Sequence, residues 1–211
     1  MINDKITIIG AGSWGCALAS LLCDNGYEVL LYDTDESIIK AINEEHTSVK
    51  IPGSFLDDKI TATNNMKNAV NFASIILTVV PTKVFRIALK SIVKELNSEK
   101  LFVNAAKGIE TQTNKRISEI VKEDVPEKYL KGFVSLTGPS NAEEVIEKKL
   151  TLVTSASENI EHAQLIQKIF SNKDYFRVYT TDDLIGAELC GALKNVYAIA
   201  SGISEGLGFG V

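Results

Sequence analysis

Three glycines near the start of the chain have the spacing of a phosphate-binding turn. Gly10, Gly12 and Gly15 form a G-x-G-x-x-G pattern directly after residues 5–9, an apolar and β-branched run typical of a buried strand. In such a pattern the first glycine permits a tight turn, the second lets the backbone approach a pyrophosphate, and the third lets a helix pack closely. The helix N-terminus also offers N–H groups to phosphates. The pattern therefore predicts a dinucleotide site.

An acidic residue stands where that site would hold a ribose. Apolar residues at helical spacing follow the glycines, Asn25 and Gly26 end the predicted helix, and residues 28–32 form a second predicted strand. Asp33 follows this strand, and its carboxylate can accept hydrogen bonds from ribose hydroxyls. Because a carboxylate repels a 2′-phosphate, the predicted cofactor is NAD, with NADP left open.

Two lysines and a Gly-Pro-Ser turn are the other candidates for chemistry. Lys107 follows a predicted strand, where it could bind phosphate or polarise a carbonyl, or be a solvated loop lysine. Lys194 lies among small and apolar residues of a predicted helix. Burial would lower its pKa toward the range useful for acid–base work, whereas snorkelling to solvent would make it structural. Gly138 and Ser140 follow the strand predicted at residues 133–136. Ser140 and Glu143 have the spacing of a capping box, and a helix start of this kind can also bind a ligand.

Composition narrows the class of protein. Hydrophobic residues make up 45% of the chain and charged residues 23%, as in soluble globular domains. A net charge of −5 argues against nucleic acid as a partner. The three cysteines lack metal-ligand spacing, and no signal peptide precedes the first strand, so we expect no metal and a cytoplasmic location. Residues 184–203 are apolar but carry Glu188 and Lys194, which disfavours a membrane span.

Strands and helices alternate along most of the chain, which predicts an α/β fold with a Rossmann-like, doubly wound, mostly parallel sheet over residues 1–181. After Asp182 the alternation stops and a long helix is predicted. Because the sequence finishes in a glycine-rich apolar run, we interpret residues 182–211 as the start of a truncated, all-α second domain. The predicted strands are residues 5–9, 28–32, 74–80, 101–104, 133–136, 150–154 and 176–179.

Taken together, these residues resemble the bacterial-type NAD(P)-dependent glycerol-3-phosphate dehydrogenases. The resemblance covers the whole chain, and it is the ordered set of motifs that makes it specific. The motifs are Gly-Ala-Gly-Ser-Trp-Gly at 10–15, Val-Val-Pro-Thr at 79–82, Ala-Lys-Gly-Ile-Glu at 106–110, Gly-Pro-Ser at 138–140, Phe-Arg-Val-Tyr at 176–179, Gly-Ala-Leu-Lys-Asn-Val at 191–196 and the glycine-rich segment 206–210.

The resemblance implies reversible hydride transfer between a nicotinamide and dihydroxyacetone phosphate, a small phosphate substrate, supplying sn-glycerol 3-phosphate for phospholipid synthesis. It implies that Lys107 adjoins both cofactor and substrate, and that Lys194 is the general acid–base at the substrate oxygen. Substrate contacts would come from Gly138 and Ser140. Beyond the glycines and Asp33, the implied cofactor contacts are Ser13, Trp14, Pro81 and Ala142.

Two residues depart from the family's usual pattern. Ser140 replaces the commoner threonine, which keeps the hydroxyl, and Asp33 stands where many members carry Arg or His. Because the ligand crevice would be only half built, we expect the chain alone to bind dinucleotide but to show little dehydrogenase activity. Assembly as a homodimer is left open.

Two alternative functions remain at this point. A related 3-hydroxy acid or hydroxyacyl dehydrogenase could use the same domain, and its substrate preference would distinguish it. A non-catalytic dinucleotide-sensing module would explain residues 10–33 but not Lys107 and Lys194 together, and it would tolerate mutation of either lysine.

Overall fold

The computed structural model describes residues 4–209, and Gly210 and Val211, which belong to the last predicted motif, lie outside that range. The strands are β1 (Lys5–Ile9), β2 (Glu28–Tyr32), β3 (Ile60–Thr63), β4 (Ile75–Thr78), β5 (Lys100–Asn104), β6 (Leu130–Thr137), β7 (Thr151–Ala156) and β8 (Phe176–Thr181). The helices are α1 (Ser13–Asp24), α2 (Glu36–Glu45), α3 (Met66–Phe72), α4 (Thr82–Glu95), α5 (Ile117–Asp124), α6 (Ala142–Ile146), α7 (Ile160–Phe170) and α8 (Leu184–Gly206). A short 3-10 turn, Glu127–Tyr129, precedes β6.

The strands form one sheet in the order β3-β2-β1-β4-β5-β6-β7-β8. All neighbouring strands run parallel except β6 and β7, which are antiparallel. Strands β2 and β3 are added on one side of β1. The chain then crosses back, and strands β4 to β8 are added on the other side. The carboxyl ends of β1 and β4 therefore flank a switch point, the place where open α/β sheets bind ligands. The predicted Rossmann-like, mostly parallel sheet is confirmed.

Helices cover both faces of the sheet, and the strands alternate their side chains between two cores. Ile8 packs with α1 and α7 on one face, whereas Ile9 packs with α4 and α5 on the other. Both isoleucines are fully buried. Each fully buried aliphatic side chain contributes about 1.5–3 kcal/mol through removal from water. The two cores hold the central strand ends, and with them the ligand-binding edge, in fixed positions.

The structure differs from the predicted elements in several places, which include longer bounds for the strands predicted at 133–136 and 176–179. β3 and α3 were not predicted, because both are short and their few apolar residues alternate too briefly to give a periodic signal. The predicted strand 74–80 ends at Thr78, since Val79 and Val80 leave the sheet to line a crevice. The predicted strand 150–154 lies at Thr151–Ala156.

A buried carboxylate joins helix α8 to helix α5, next to the core packing of Leu184. Glu188 is 8% exposed, and its side chain accepts hydrogen bonds from the Ser118 backbone N–H at 2.9 Å and from Arg116 Nη1 at 3.0 Å. The Ser118 hydroxyl also donates to it. Glu188 thus satisfies the first turn of α5 from a distant segment. The domain boundary after residue 181 stays a prediction.

Most of α8 beyond this anchor is exposed, although it is apolar. Its exposed large side chains are Ile185, Leu189, Leu193, Val196, Tyr197, Ile199 and Ile203. Even so, within residues 4–209 no helix has the length and apolar character needed to cross a membrane.

We predict that Glu188→Ala lowers the free energy of unfolding by about 3 kcal/mol, because Arg116 and the Ser118 N–H lose their buried partner. Urea unfolding followed by circular dichroism measures this change. Glu205→Ala, which removes an exposed acid from the same helix, is the matched control and should change the free energy by less than about 0.5 kcal/mol. Equal effects of the two substitutions would contradict the anchoring role.

Candidate active site

The glycine turn between β1 and α1 uses each of its glycines differently. Gly10 has φ +110°, a backbone conformation that L side chains rarely adopt, and its N–H donates to the Tyr32 carbonyl at 2.8 Å. A Cβ on Gly15 would overlap the Gly10 carbonyl oxygen. Gly12, with φ −69°, has no heavy atom within 4 Å of a would-be Cβ and faces open space. The geometry thus requires a glycine at positions 10 and 15, and leaves an opening at 12.

Asp33 is fixed beside this turn by backbone donors. Its Oδ2 accepts from the Ala11 N–H at 2.9 Å, and its Oδ1 accepts from the Asp35 N–H at 3.1 Å. A carboxylate offers about four lone-pair sites, so further acceptor capacity remains toward a neighbouring cleft of about 260 Å³. The cleft has a mainly apolar wall, which includes Met66, Val84 and Ile87. A planar apolar ring with attached ribose hydroxyls suits this combination.

A crevice of about 410 Å³ lies at the carboxyl ends of β1, β4 and β5. It is lined by residues from four segments that are distant in sequence. They are Ser13, Trp14, Val79, Val80, Pro81, Ala105, Ala106, Lys107, Ser140, Asn141, Ala142 and Glu143. The structure therefore brings together six of the predicted site residues: Ser13, Trp14, Pro81, Lys107, Ser140 and Ala142.

Lys107 projects into this crevice with only weak partners of its own. Its Nζ lies 3.4 Å from both the carbonyl oxygen and the hydroxyl of Ser140, and 5.8 Å from the centroid of the Trp14 ring. Burial lowers the pKa of the Lys107 ammonium, and the positive charge of Lys194 lowers it further. Contacts at 3.4 Å are long for hydrogen bonds, so the amine can exchange them for a better acceptor.

Ser140 does not cap a helix, so the predicted capping box with Glu143 is wrong. Helix α6 has Asn141 at its N-cap position, and no side chain there accepts a capping hydrogen bond. The hydroxyl of Ser140 turns instead toward Lys107. Gly138, two residues earlier, is needed for close packing, since a Cβ there would lie 2.7 Å from the Leu152 carbonyl oxygen.

Lys194 is half-buried rather than enclosed, so the structure does not give it the full burial considered for it. Its Nζ donates to Asn195 Oδ1 at 3.0 Å. It lines a cavity of about 380 Å³ between α8 and the strands β6, β7 and β8, together with Gly138 and Cys190. Its positive charge is the second cause, after burial, of the lowered pKa of Lys107.

Sequence reasoning missed an ion-pair network that surrounds the Lys107 loop. Arg86 on α4 pairs through Nε and Nη2 with Glu110 at 2.9 and 3.0 Å. The same guanidinium contacts Asp124 at 2.9 Å and Glu123 at 3.3 Å on α5. Glu110 closes the Ala-Lys-Gly-Ile-Glu motif, but nothing local pointed to a partner on another helix. Among residues 4–209, no group of three or more His, Cys, Asp or Glu side chains is placed to hold a metal ion.

Comparison with known proteins agrees with the resemblance. Residues 5–163 match the family described as NAD-dependent glycerol-3-phosphate dehydrogenase N-terminus. The chain belongs to this family. Residues 183–211 match the companion description, NAD-dependent glycerol-3-phosphate dehydrogenase C-terminus.

Curated and solved members of the glycerol-3-phosphate dehydrogenase family align with nearly all of the chain. A Ligilactobacillus salivarius protein named as a glycerol-3-phosphate dehydrogenase using NAD(P)+ is 47% identical, over 99% of this chain and 63% of its own length. The Coxiella burnetii glycerol-3-phosphate dehydrogenase structure matches with a TM-score of 0.88 at 30% identity, over 99% of this chain and 63% of that one. The yeast enzyme matches with a TM-score of 0.84 at 26% identity, over 99% and 65%. The chain thus spans a little over three fifths of these relatives.

The residues present fit the adenine dinucleotide that this family binds through its N-terminal domain. The turn at Gly10 and the open position at Gly12 leave room for a pyrophosphate above the first turn of α1. Asp33 offers acceptors to a ribose. The indole N–H of Trp14 is buried and finds no acceptor among the described residues, which leaves a donor unsatisfied at the crevice wall.

We predict opposite consequences for two glycine substitutions. Gly15→Ala should destabilise the fold by about 3 kcal/mol, because its methyl group would overlap backbone. Gly12→Ala should change stability by less than about 1 kcal/mol, since the weaker N-cap and the smaller unfolded-state entropy oppose each other. It should nevertheless weaken NADH binding about tenfold or more, because the methyl group fills the opening for the pyrophosphate.

Both effects can be measured on the same samples. Urea unfolding gives stability, and energy transfer from Trp14, the only tryptophan in the chain, to bound NADH gives affinity. Wild-type NADH affinity in Gly12→Ala would show that the pyrophosphate does not pass over this turn.

Proposed function

We propose that the protein is the cofactor-binding part of an enzyme that interconverts dihydroxyacetone phosphate and sn-glycerol 3-phosphate with a nicotinamide dinucleotide. The observation that carries the proposal is that Lys107 and Ser140 share one crevice with Ser13 and Trp14 of the glycine-rich segment, while Lys194 on α8 lines a second cavity together with Gly138. A cytoplasmic location, a supply of glycerol 3-phosphate for phospholipid synthesis and a homodimeric assembly belong to the same proposal. The experiment is an assay of the complete enzyme for reduction of dihydroxyacetone phosphate, beside an assay for oxidation of 3-hydroxy acids.

In this proposal the cofactor lies along the switch point of the sheet. Ser13, Trp14, Pro81 and Ala142 line the crevice in which its nicotinamide half would lie, while Asp33 and the adjoining apolar cleft would hold the adenosine half. When bound, the nicotinamide supplies or accepts the hydride. The protein's task is then to place the substrate carbon beside it and to manage charge and protons.

The two lysines supply that charge in a chain whose net charge is −5. A local pair of ammonium groups attracts a phosphate ester that the overall field does not. Reduction of the ketone places negative charge on the substrate oxygen, and an ammonium within hydrogen-bond reach stabilises and protonates it. We assign that role to Lys194 and assign to Lys107, with Ser140, the placement of substrate and nicotinamide. A sensing module would not need either amine.

We predict that NADH binds about tenfold or more tightly than NADPH, because the fixed carboxylate of Asp33 repels a 2′-phosphate. Titrations of both dinucleotides at one salt concentration, read through Trp14, give the ratio. Asp33→Asn removes the negative charge but keeps a side chain of nearly the same size, so it should reduce the preference for NADH over NADPH. Tighter binding of NADPH by the wild type would mean that Asp33 does not face the ribose.

We predict that Lys194→Ala in the complete enzyme lowers kcat about 100- to 10,000-fold, the usual contribution of general acid–base catalysis. NADH affinity should hardly change. Lys107→Ala should also raise the KM for dihydroxyacetone phosphate, because Lys107 lies beside Ser140 in the crevice.

Steady-state kinetics with pH profiles for both variants, beside NADH titrations, measure these effects. Lys168→Ala on α7 serves as the control for loss of a lysine away from the crevice. A kcat within a few-fold of wild type in Lys194→Ala would make Lys194 a structural lysine.

A further inference from the structure

The segment that carries Lys107 has no regular secondary structure to hold it. Residues 105–116 connect β5 to α5 as an extended loop. Gly108 within it has φ +127°, and a Cβ there would lie 3.2 Å from the Thr82 side chain at the start of α4. The contacts of Lys107 itself, at 3.4 Å, are too long to fix the loop. Other residues must therefore determine where the amine lies.

Glu110 supplies the loop's strongest attachment. Its carboxylate is nearly fully buried and meets the Arg86 guanidinium side by side, with contacts of 2.9 and 3.0 Å. Its backbone closes a turn, since its N–H donates to the Lys115 carbonyl and its carbonyl accepts from the Asn114 N–H. A two-bond pair of this kind fixes orientation as well as distance. On the other side of Lys107, the Asn104 side chain holds Ala106.

Arg86 has no capacity left for a ligand. A guanidinium has five N–H donors, and the five contacts of Arg86 go to Glu110, Asp124 and Glu123. The Arg86 side chain is 22% exposed and that of Asp124 is 16% exposed, so these contacts are only partly screened by water. An arginine near a phosphate-binding crevice is usually suspected of binding phosphate, but this one is saturated by carboxylates.

We infer that Arg86 is a positioning residue: by holding Glu110 against α4 and α5, it places the Lys107 amine in the crevice beside Trp14 and Ser140. The inference rests on the proposed function, because it assigns a purpose to the placement of Lys107. The residue that touches the ligand is Lys107, and Arg86 acts only through it. Glu143 from α6 also lines the crevice, and the positive charge of Lys194, which lines the cavity beside α8, acts on the Lys107 amine.

Two isosteric substitutions on the same guanidinium separate positioning from general electrostatics. Glu110→Gln breaks the paired contact with Arg86, because one of its two accepting oxygens becomes an NH2 group. Glu123→Gln removes the charge that meets Arg86 at 3.3 Å and the exposed end of the loop, Lys115, at 2.7 Å, but it leaves the Glu110–Arg86 pair intact. Arg86→Lys keeps the charge but loses the fork, and so provides a second variant should Glu110→Gln fold poorly. Ile166→Val, in the core on the opposite face of the sheet, controls for loss of stability alone.

The measurement is the pH dependence of acylation of Lys107 in the wild-type chain and each folded variant, read by mass spectrometry of its peptide. In the wild type, burial keeps the pKa of this amine below the usual lysine value. Release of the loop exposes the Lys107 amine, so the midpoint of its acylation profile should rise by about half a pH unit or more in Glu110→Gln and Arg86→Lys. This shift corresponds to a change of about threefold in the fraction of neutral Lys107 amine. NADH affinity should fall several-fold in the same variants. Glu123→Gln and Ile166→Val should leave the midpoint in place.

Unchanged midpoints in folded Glu110→Gln and Arg86→Lys would overturn the inference, as would equal shifts in Glu110→Gln and Glu123→Gln. The proposed function fails separately, if the wild-type chain does not bind NADH at all. In that case the acylation profiles still decide whether Arg86 places Lys107.

Discussion

The ligand-binding edge of this fold depends on how closely the first helix approaches the first strand. Gly15 lies against the carbonyl of Gly10, and the Val79 side chain packs where a Cβ on either glycine would stand. This contact fixes three things at once: the end of β1, the start of α1 and the exit from β4. With even one methyl group between them, the N-terminus of α1 would move away from the switch point, and the crevice would lose the wall that α1 provides.

Two buried carboxylates help to position the two lysines, Lys107 and Lys194, although the chain as a whole is acidic. Glu110 and Glu188 both sit in partly or fully buried contacts with an arginine, the first at Arg86 and the second at Arg116. Neither glutamate lines a ligand cavity. Each ties down a segment that carries a crevice lysine, a loop in one case and a helix in the other. The lysines themselves keep weak or local partners, which leaves their amines available.

The sequence allowed the sheet type, the glycine turn and Asp33 to be predicted, because these depend on local periodicity and on short, fixed spacings. The pairs Arg86–Glu110 and Arg116–Glu188 could not be predicted in this way. They join residues on different helices and loops, and ion pairs between distant segments leave no periodic pattern. Ser140 was given a capping role because its spacing to Glu143 allowed one. The local preference did not prevail, since the strand exit turns its hydroxyl toward Lys107.

Because β7 runs antiparallel to β6, the position of Lys194 depends on the length and register of α8. Because β8 runs parallel to β7, its last residue, Thr181, is level with Ser135, two residues before the end of β6, and α8 then runs back toward the ligand-binding edge. Glu188 meets α5 on the way, and Gly191 then passes the end of β6, where a Cβ would lie 2.5 Å from Thr137 Oγ1. The ten steps along the helix from Leu184 to Lys194 correspond to a rise of about 15 Å. The number of helical residues therefore sets how far the Lys194 amine lies from the start of α8. One residue inserted after Gly191 would lift the amine by about 1.5 Å and swing it about 100° around the helix axis. The contacts of Glu188 and Gly191 fix the register of α8, and this register sets where the Lys194 amine lies.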